Sequence, residues 1–258
     1  DCQARSNLTA ESRATLRQVW IRYPQTSEAR DAQAKLAASS DSWQPAPDDL
    51  YARALVYYGL SLHAEAVQEF QRFLLAAGSH PKRDEARAKL GTALVRLKRY
   101  DDARQVFSEL ARSSAPDAGD AAVWLARIHL RQDDGDRLLE LRKTLARLPF
   151  TPEQKSSILL FEGNWLEDHE RTEEAIGRYR QAAQGGKDLA QRLEPLWRIG
   201  WIQYRAGQYQ EAADLFRSIL NGAEEPQFTP QVLYWLGRTL EQQNDAQAPE
   251  RYQQLCRQ

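Results

Sequence analysis

Small residues recur along this chain at a nearly constant interval, and this period limits the folds that the chain can adopt. The small residues are Ala54, Gly91, Gly163, Gly200 and Gly237, and the intervals between them are 37, 72, 37 and 37. An alanine lies at a nearly constant offset after each of them, and an aromatic residue comes four positions after that alanine. The alanines are Ala66, Ala103, Ala175, Ala212 and Ala248, and the aromatic residues are Phe70, Phe107, Tyr179, Phe216 and Tyr252. Repetition at such a period indicates a stacked array of helical units.

The stretch 196–220 shows what one unit contains. Gly200 and Ala212 have little bulk, so two antiparallel helices can approach closely where they cross, and Phe216 fills the space beside them. Gly207 can adopt the left-handed conformation that ends a helix. Each unit is therefore predicted to be a helical hairpin, and its offsets are similar to those of tetratricopeptide repeats.

The predicted fold class is all-α: a right-handed superhelix, or solenoid, of about six tetratricopeptide-like hairpins with two capping helices at the N-terminus. The interval from Gly91 to Gly163 is 72, which is twice 36, so one hairpin falls near Ala126. Leucines at 138, 139 and 141 replace the alanine and aromatic residues there, and we interpret this hairpin as a degenerate repeat. No alternation typical of a β-strand persists along the chain.

Helix positions follow from the period and from proline-containing segments between the hairpins. The capping helices are predicted near 10–22 and 27–38, with Pro24 ending the first and Ser27 capping the second. The first helices of the hairpins are predicted near 48–59, 83–97, 119–131, 153–167, 189–205 and 228–242. The second helices are predicted near 62–75, 100–112, 134–147, 171–183, 208–220 and 246–257.

Two parts of the chain are predicted to have different roles. Residues 1–47 form capping helices and a linker, and residues 48–258 form one continuous array of repeats. The capping part is too short to build an independent core, so we expect it to cover the exposed face of the first hairpin.

Composition excludes some classes of protein. The formal net charge is −1, from 35 basic and 36 acidic residues. A non-specific nucleic-acid binder needs a net basic face, so nucleic acid is not an expected partner. No run of about 18 apolar residues exists, so no membrane span is expected either.

The ends of the chain leave several alternatives open. The chain begins with Asp1 and contains no methionine, so we expect it to be a mature or excised part of a longer product. Its start lacks the apolar segment of a signal peptide. Cys2 and Cys256 lie at opposite ends, and two cysteines make neither a metal site nor a disulfide framework. Cys2 could be lipidated, disulfide-bonded or free.

No pattern for catalysis or metal binding is found in the sequence. The four histidines lack the i, i+4 spacing that places two ligands on one helix face, so neither a metal nor a cofactor is expected. Five carboxylates cluster near one helix–helix turn, at Glu167, Asp168, Glu170, Glu173 and Glu174. In a turn exposed to water we expect them to favour the positive end of the following helix rather than to act in catalysis.

A candidate ligand groove lies on the inner face of the fifth and sixth hairpins. We call Gly200 and Gly237 the crossing glycines, because the two helices of each hairpin cross there. The inner face of a first helix carries the residues three positions before its crossing glycine and one, four and five positions after it. The candidates are Trp197, Trp201, Tyr204, Arg205, Tyr234 and Arg238. Aromatic rings and guanidinium groups suit a peptide segment or a sugar chain, through stacking and planar hydrogen bonds. The alternative is that the tryptophans pack between neighbouring hairpins.

Part of the chain also resembles a known family. Residues 197–209, WRIGWIQYRAGQY, closely resemble a stretch in bacterial soluble lytic murein transglycosylases, within the superhelical domain that precedes the catalytic domain. Residues 233–241, LYWLGRTLE, with YQQL at 252–255, resemble the last repeat before that catalytic domain. The resemblance is strong over 196–258 and weaker elsewhere.

The resemblance implies a function and also shows what is absent. The catalytic domain of that family carries a Glu-Ser pair followed by Gly-Leu-Met-Gln; Glu11-Ser12 is the only such pair here and no such motif follows. The chain is therefore expected to have no catalytic residues and no enzymatic activity of its own. It would be the scaffold and interaction domain of a periplasmic lytic transglycosylase, positioning a C-terminal catalytic domain or binding peptidoglycan or a protein partner. The alternative is a stand-alone tetratricopeptide adaptor of cell-envelope assembly that binds peptide segments.

Overall fold

The computed structural model describes residues 9–38, 43–186, 189–222 and 229–257, which form fourteen helices and no strand. The capping helices are α1 (Ala10–Arg22) and α2 (Ser27–Ala38). The first three hairpins are α3 (Pro47–Gly59) with α4 (His63–Ala76), α5 (Arg83–Arg96) with α6 (Tyr100–Ala111), and α7 (Ala118–Arg131) with α8 (Gly135–Thr144). The last three are α9 (Pro152–Asp168) with α10 (Thr172–Gly185), α11 (Leu189–Arg205) with α12 (Tyr209–Gly222), and α13 (Thr229–Gln242) with α14 (Ala248–Leu255).

The all-α fold class and the six predicted hairpins are confirmed in the described part of the chain. The third hairpin, α7 with α8, is present even though its sequence has lost the repeat pattern. Leu138 and Leu141, which replace the alanine and the aromatic residue, are both buried. Burial of apolar side chains on one helix face is therefore enough to keep this hairpin, without the alanine and the aromatic ring of the second helix.

The turn between the capping helices differs from the prediction in one detail. Helix α1 ends at Arg22, before Pro24, as expected. The cap of α2 is Thr26 rather than Ser27: the Thr26 hydroxyl accepts a hydrogen bond from the Ala29 backbone N–H at 3.2 Å. Ser27 is already the first residue of the helix, and either hydroxyl could have supplied the cap on sequence grounds. The proposed alternatives for Cys2 lie outside the described residues, and Cys256 is an exposed free thiol.

The chain divides into two compact units, Asp1–Ala121 and Ala122–Gln258. The division into residues 1–47 and 48–258 remains a prediction. Within the first unit, the capping helices pack against the first hairpin. Arg17 of α1 makes a bidentate contact with the buried carboxylate of Asp49 in α3, both N–O distances being 2.8 Å. This contact joins the cap to the hairpin by a charge-assisted pair.

Arg53 of α3 strengthens the same junction from inside the core. It donates to the backbone carbonyl of Trp20 at 3.1 Å and to the hydroxyl of Tyr57 at 3.0 Å. Its guanidinium lies 4.1 Å from the centre of the Trp20 ring, and its Nε is 3.6 Å from Glu69 of α4. A buried arginine is stable only with such partners, so these contacts fix the cap relative to the first hairpin.

The second unit has a buried carboxylate between three helices. The Glu162 side chain of α9 is fully buried, with Arg142 of α8 at 2.8 Å and Arg178 of α10 at 2.7 Å. Two guanidinium groups neutralise one carboxylate, which offsets its desolvation. Apolar clusters continue the packing: one joins α9, α10 and α11, and another joins α11, α12, α13 and α14.

In four hairpins, the crossing glycine lies directly beneath the aromatic ring of the second helix. A Cβ added to Gly91 would come within 2.6 Å of Phe107, and one added to Gly163 within 2.5 Å of Tyr179. The corresponding distances are 2.6 Å from Gly200 to Phe216 and 2.7 Å from Gly237 to Tyr252. These distances are shorter than van der Waals contact, so the ring takes the volume that a side chain would need.

Each hairpin turn also contains one residue in the left-handed conformation. These residues are Ser61, Lys98, Asp133, Glu170, Gly207 and Asn244, with φ between 55° and 77°. Their sequence numbers differ by 37 throughout, except that Asp133 follows Lys98 by only 35. The interval between the second and third hairpin turns is therefore two residues shorter than the other intervals. Only the fifth turn uses glycine, for which this conformation carries no steric cost.

We predict that Gly200→Ala destabilises the protein, because the added methyl group must displace the Phe216 ring. Overpacking of this kind costs about 1–3 kcal/mol. The matched control is Gly177→Ala in α10, where the space around the Cβ is open and the change should stabilise the helix by about 1 kcal/mol. Urea denaturation followed by circular dichroism measures both changes. Equal effects of the two substitutions would contradict the proposed role of the ring.

Candidate functional site

The six candidate residues lie on two first helices, α11 and α13, and we call them the aromatic–arginine face. Trp197, Trp201, Tyr204 and Arg205 belong to α11, and Tyr234 and Arg238 belong to α13. The spacings of three and four positions place them along one side of each helix. Tyr234 is 41% exposed, Arg205 is exposed, and the other four are half-buried. Aromatic and cationic groups of both helices therefore reach the solvent.

The three rings of α11 form a row with nearly parallel planes. The ring centres of Trp197 and Trp201 are 6.2 Å apart with an angle of 4° between the planes. Those of Trp201 and Tyr204 are 5.9 Å apart at 13°. Parallel rings at regular spacing leave a repeated apolar surface on which planar or aliphatic groups can pack.

Trp235 joins the two helices, and the sequence analysis did not include it. Its ring centre lies 4.3 Å from Trp201 and 5.2 Å from Tyr204, in both cases nearly edge to face. It also contacts its neighbour Tyr234 at 5.2 Å. Trp235 lies two positions before its crossing glycine, on the side of α13 that meets the preceding hairpin. That position is the signal that could have identified it.

The structure shows packing of the tryptophans between the last two hairpins, and ligand binding on this face stays a prediction. Trp197 and Tyr204 pack against the buried cluster of the last two hairpins, and Trp201 packs on Trp235. None of these side chains is fully buried. Packing holds one side of each ring and leaves another side accessible, which gives a rigid surface.

The two arginines differ in their partners. A hydrogen bond to Tyr204, with smaller effects of Tyr234 and Glu241, raises the pKa of Arg238 above its usual value. Its Nε is 3.7 Å from the Glu241 carboxylate. Burial, followed by the same Glu241 carboxylate, raises the pKa of Tyr252 to about 12. Arg205 has no ion pair with any carboxylate among the described residues, so its charge remains available to a ligand.

A cavity of about 360 Å³ lies at the Arg205 end of the face. It is lined by Glu167, Glu170, Thr172, Ile202, Arg205 and Ala206. The Glu167 carboxylate is held in place by the hydroxyl of Tyr179 at 2.8 Å and by Arg198 at 3.6 Å. Burial and the Glu167 carboxylate raise the pKa of Tyr179, which therefore stays a neutral donor.

Two other carboxylates of the cluster near this helix–helix turn have a structural role. Glu173 and Glu174 occupy the first turn of α10, and Glu174 pairs with Arg171 at 2.8 Å. Negative charge there favours the positive end of the helix. Within the described residues no group of three metal-ligating side chains is found, and none of the described helices is long and apolar enough to cross a membrane.

Comparisons with sequence families agree with the repeat pattern. Models described as tetratricopeptide repeat match residues 51–118, 88–137 and 196–221. The last match covers almost the same residues as the stretch 196–220, which illustrates one hairpin in the sequence analysis. A comparison with curated proteins found no significant match.

Several solved structures are similar to this chain at low sequence identity. The apo form of the quorum sensor NprR from B. thuringiensis has a TM-score of 0.56 and 10% identity, covering 95% of this chain and 85% of that chain. The MamA RS-1 ArsTM double mutant has a TM-score of 0.52 and 15% identity, covering 68% and 93%. PilF from Pseudomonas aeruginosa has a TM-score of 0.49 and 20% identity, covering 84% and 96%.

The class of protein follows from the fold and these matches. The chain contains tetratricopeptide repeats in an all-helical, tetratricopeptide-like solenoid fold. Domains of this class bind protein or peptide partners, and the fold is typically non-catalytic. None of the matches shows a lytic transglycosylase origin, which remains a hypothesis.

We predict that Trp201→Ala and Tyr234→Ala affect stability differently. Trp201 packs on Trp235, so its removal should cost about 2 kcal/mol. Tyr234 is the more exposed ring, and its removal should change the free energy of unfolding by less than about 0.5 kcal/mol. Urea denaturation followed by circular dichroism tests this. A large loss of stability in Tyr234→Ala would show that the face is part of the core.

Proposed function

We propose that this protein is a non-catalytic adaptor that binds an extended segment of a partner protein on the aromatic–arginine face. The observation that carries the proposal is the merging of rings from α11 and α13 into one partly exposed patch. A contiguous, partly exposed patch of aromatic rings on a protein surface is typical of an interaction site. Tyr, Trp and Arg are also the residues most enriched in the energetically important parts of interfaces.

The geometry favours an extended segment. Successive residues of an extended chain are about 3.3 Å apart, so side chains on the same side repeat every 6.6 Å or so. The rings of the row lie 6.2 and 5.9 Å apart, which is close to that repeat. Alternate side chains of the segment could therefore pack on successive rings, while Arg205 and Arg238 bind carbonyl or carboxylate oxygens.

The direct test uses peptides selected from a random library for binding to the whole chain. The double variant Arg205→Gln with Tyr234→Ser removes exposed groups and leaves Trp201 in place. Loss of a charge-assisted hydrogen bond and a ring contact should weaken binding about tenfold or more. Tyr23→Ser is the matched control, because Tyr23 is 59% exposed and lies in the other compact unit. Isothermal titration calorimetry measures the affinities.

Two results would contradict this proposal. One is an equal affinity of the selected peptides for the wild-type chain and for the double variant. The other is a comparable loss in Tyr23→Ser, which would indicate a binding surface elsewhere. Thermal midpoints of all variants are measured in parallel, and unchanged midpoints assign a loss of affinity to the face itself.

As a second candidate function, we infer a scaffold domain of a periplasmic lytic transglycosylase. The resemblance over 196–258 supports it, because the run WRIGWIQYR supplies the α11 residues of the aromatic–arginine face. Peptidoglycan would then be a ligand of the same face, since sugar rings also pack on aromatic side chains. A C-terminal catalytic domain would be the second partner of the chain, in the periplasm.

This second candidate predicts binding to peptidoglycan without cleavage. Residues 1–258 should sediment with purified murein sacculi, and Arg205→Gln with Tyr234→Ser should sediment less. The same chain should produce no clearing in a murein zymogram. Clearing by residues 1–258 would overturn the non-catalytic assignment, and absence of sedimentation would favour the peptide adaptor.

A further inference from the structure

A second cleft, of about 660 Å³, lies between α12, α13 and α14. Its apolar floor consists of Leu220, Leu233 and Leu236. Each residue of a helix is rotated by about 100° from the one before it. The mean direction of Leu233 and Leu236 around the axis of α13 therefore differs by roughly 150° from that of Tyr234 and Arg238. The cleft therefore opens on a different side of the helix from the aromatic–arginine face, and it can bind a ligand independently.

Three guanidinium groups line this cleft: Arg217, Arg251 and Arg257. Arg217 pairs with Asp214 at 3.1 Å and lies 3.6 Å from Asp245. Arg251 and Arg257 form no ion pair with any carboxylate among the described residues. Among the described residues, the lining of the cleft therefore has a surplus of positive charge, which favours an anionic ligand.

Arg251 also contains a polar atom without a partner. Its Nη1 donates to Gln254 Oε1 at 3.0 Å, which holds the guanidinium in one orientation. Its Nε is buried and has no hydrogen-bond partner in the described part of the chain. The buried Nε is shielded from a ligand, but the bond to Gln254 uses only one Nη donor, so a carboxylate entering the cleft could accept from the other Nη donors.

The remaining polar lining consists of three amide side chains, Asn221, Gln247 and Gln254. A side-chain amide offers both a donor and an acceptor. The backbone of an extended peptide also presents both, on every residue, and needs partners for them when it leaves water. Amides combined with arginines therefore suit an acidic peptide better than they suit a simple inorganic anion.

We propose that this cleft binds a short acidic segment of a partner protein, with carboxylates on Arg251 and Arg257 and a branched apolar side chain on the leucine floor. The volume is within the usual range for ligand sites. The floor contributes by removing apolar surface from water, and the arginines provide selectivity for carboxylates. This site is separate from the proposed peptide site on α11 and α13 and does not depend on it.

The experiment uses the full chain and a fluorescein-labelled dodecapeptide in which Glu and Leu alternate. Fluorescence anisotropy should show binding that weakens as the salt concentration rises, because part of the attraction is between charges. The double variant Arg251→Gln with Arg257→Gln should bind about tenfold more weakly or worse. Arg96→Gln is the matched control, because Arg96 is an exposed arginine at the end of α5 in the other compact unit, and this variant should bind as the wild-type chain does.

Several outcomes of these binding measurements would contradict the proposed acidic-peptide site. Equal binding by the double variant, or a comparable loss of binding in Arg96→Gln, would overturn the assignment to this cleft. Equal binding of a peptide with Gln in place of Glu would overturn the requirement for carboxylates. Competition by citrate at the peptide's own concentration would indicate a small-anion site, and no binding of the Glu–Leu peptide would refute the proposal.

The exposed variant Arg257→Glu, which is not expected to alter folding, should abolish binding if the proposal holds.

Discussion

The contact of an aromatic ring with a glycine backbone sets how closely the two helices pack in four of the six hairpins, and the geometry of the last two hairpins depends on it. In the hairpins of Gly91, Gly163, Gly200 and Gly237, the ring of the second helix lies where a side chain of the first helix would be. The two helices can then cross at close range, and their other side chains meet at fixed positions. Because this contact recurs in the last two hairpins, the exposed sides of their first helices remain in register. The row of rings on α11 and the ring of Trp235 meet for that reason.

Much of the fold could be predicted from the sequence because its determinants are local. Each glycine and its ring belong to a single hairpin, as Gly200 and Phe216 do, so the period alone located them. The long-range contacts were not predictable in this way. The ion pairs of Glu162 with Arg142 and Arg178 bury a charged group that is usually expected in water. No local pattern marks such a pair, since its stability depends on neighbours from other helices.

The candidate site was predictable only in part, for the same reason. Positions relative to the crossing glycine gave the six residues of the aromatic–arginine face, which the structure places on two adjacent first helices. Trp235 was missed because its importance comes from the rings of the preceding hairpin. The arginine-lined cleft was missed because its lining comes from three helices, none of which has a distinctive motif. Helix α13 contributes to both surfaces, with different sides of one amphipathic helix.

The short distance along the chain between each glycine and its ring has a consequence for how the protein folds. Most of the stabilising contacts have low contact order, so little loop-closure entropy opposes their formation. A hairpin can form its own ring contact before its neighbours are in place, and folding can begin at more than one repeat. The third hairpin, which has leucines instead of the ring, lacks this local contact of its own. Backbone amides of α8 would accordingly exchange faster than those of α10, whose Tyr179 ring packs on Gly163.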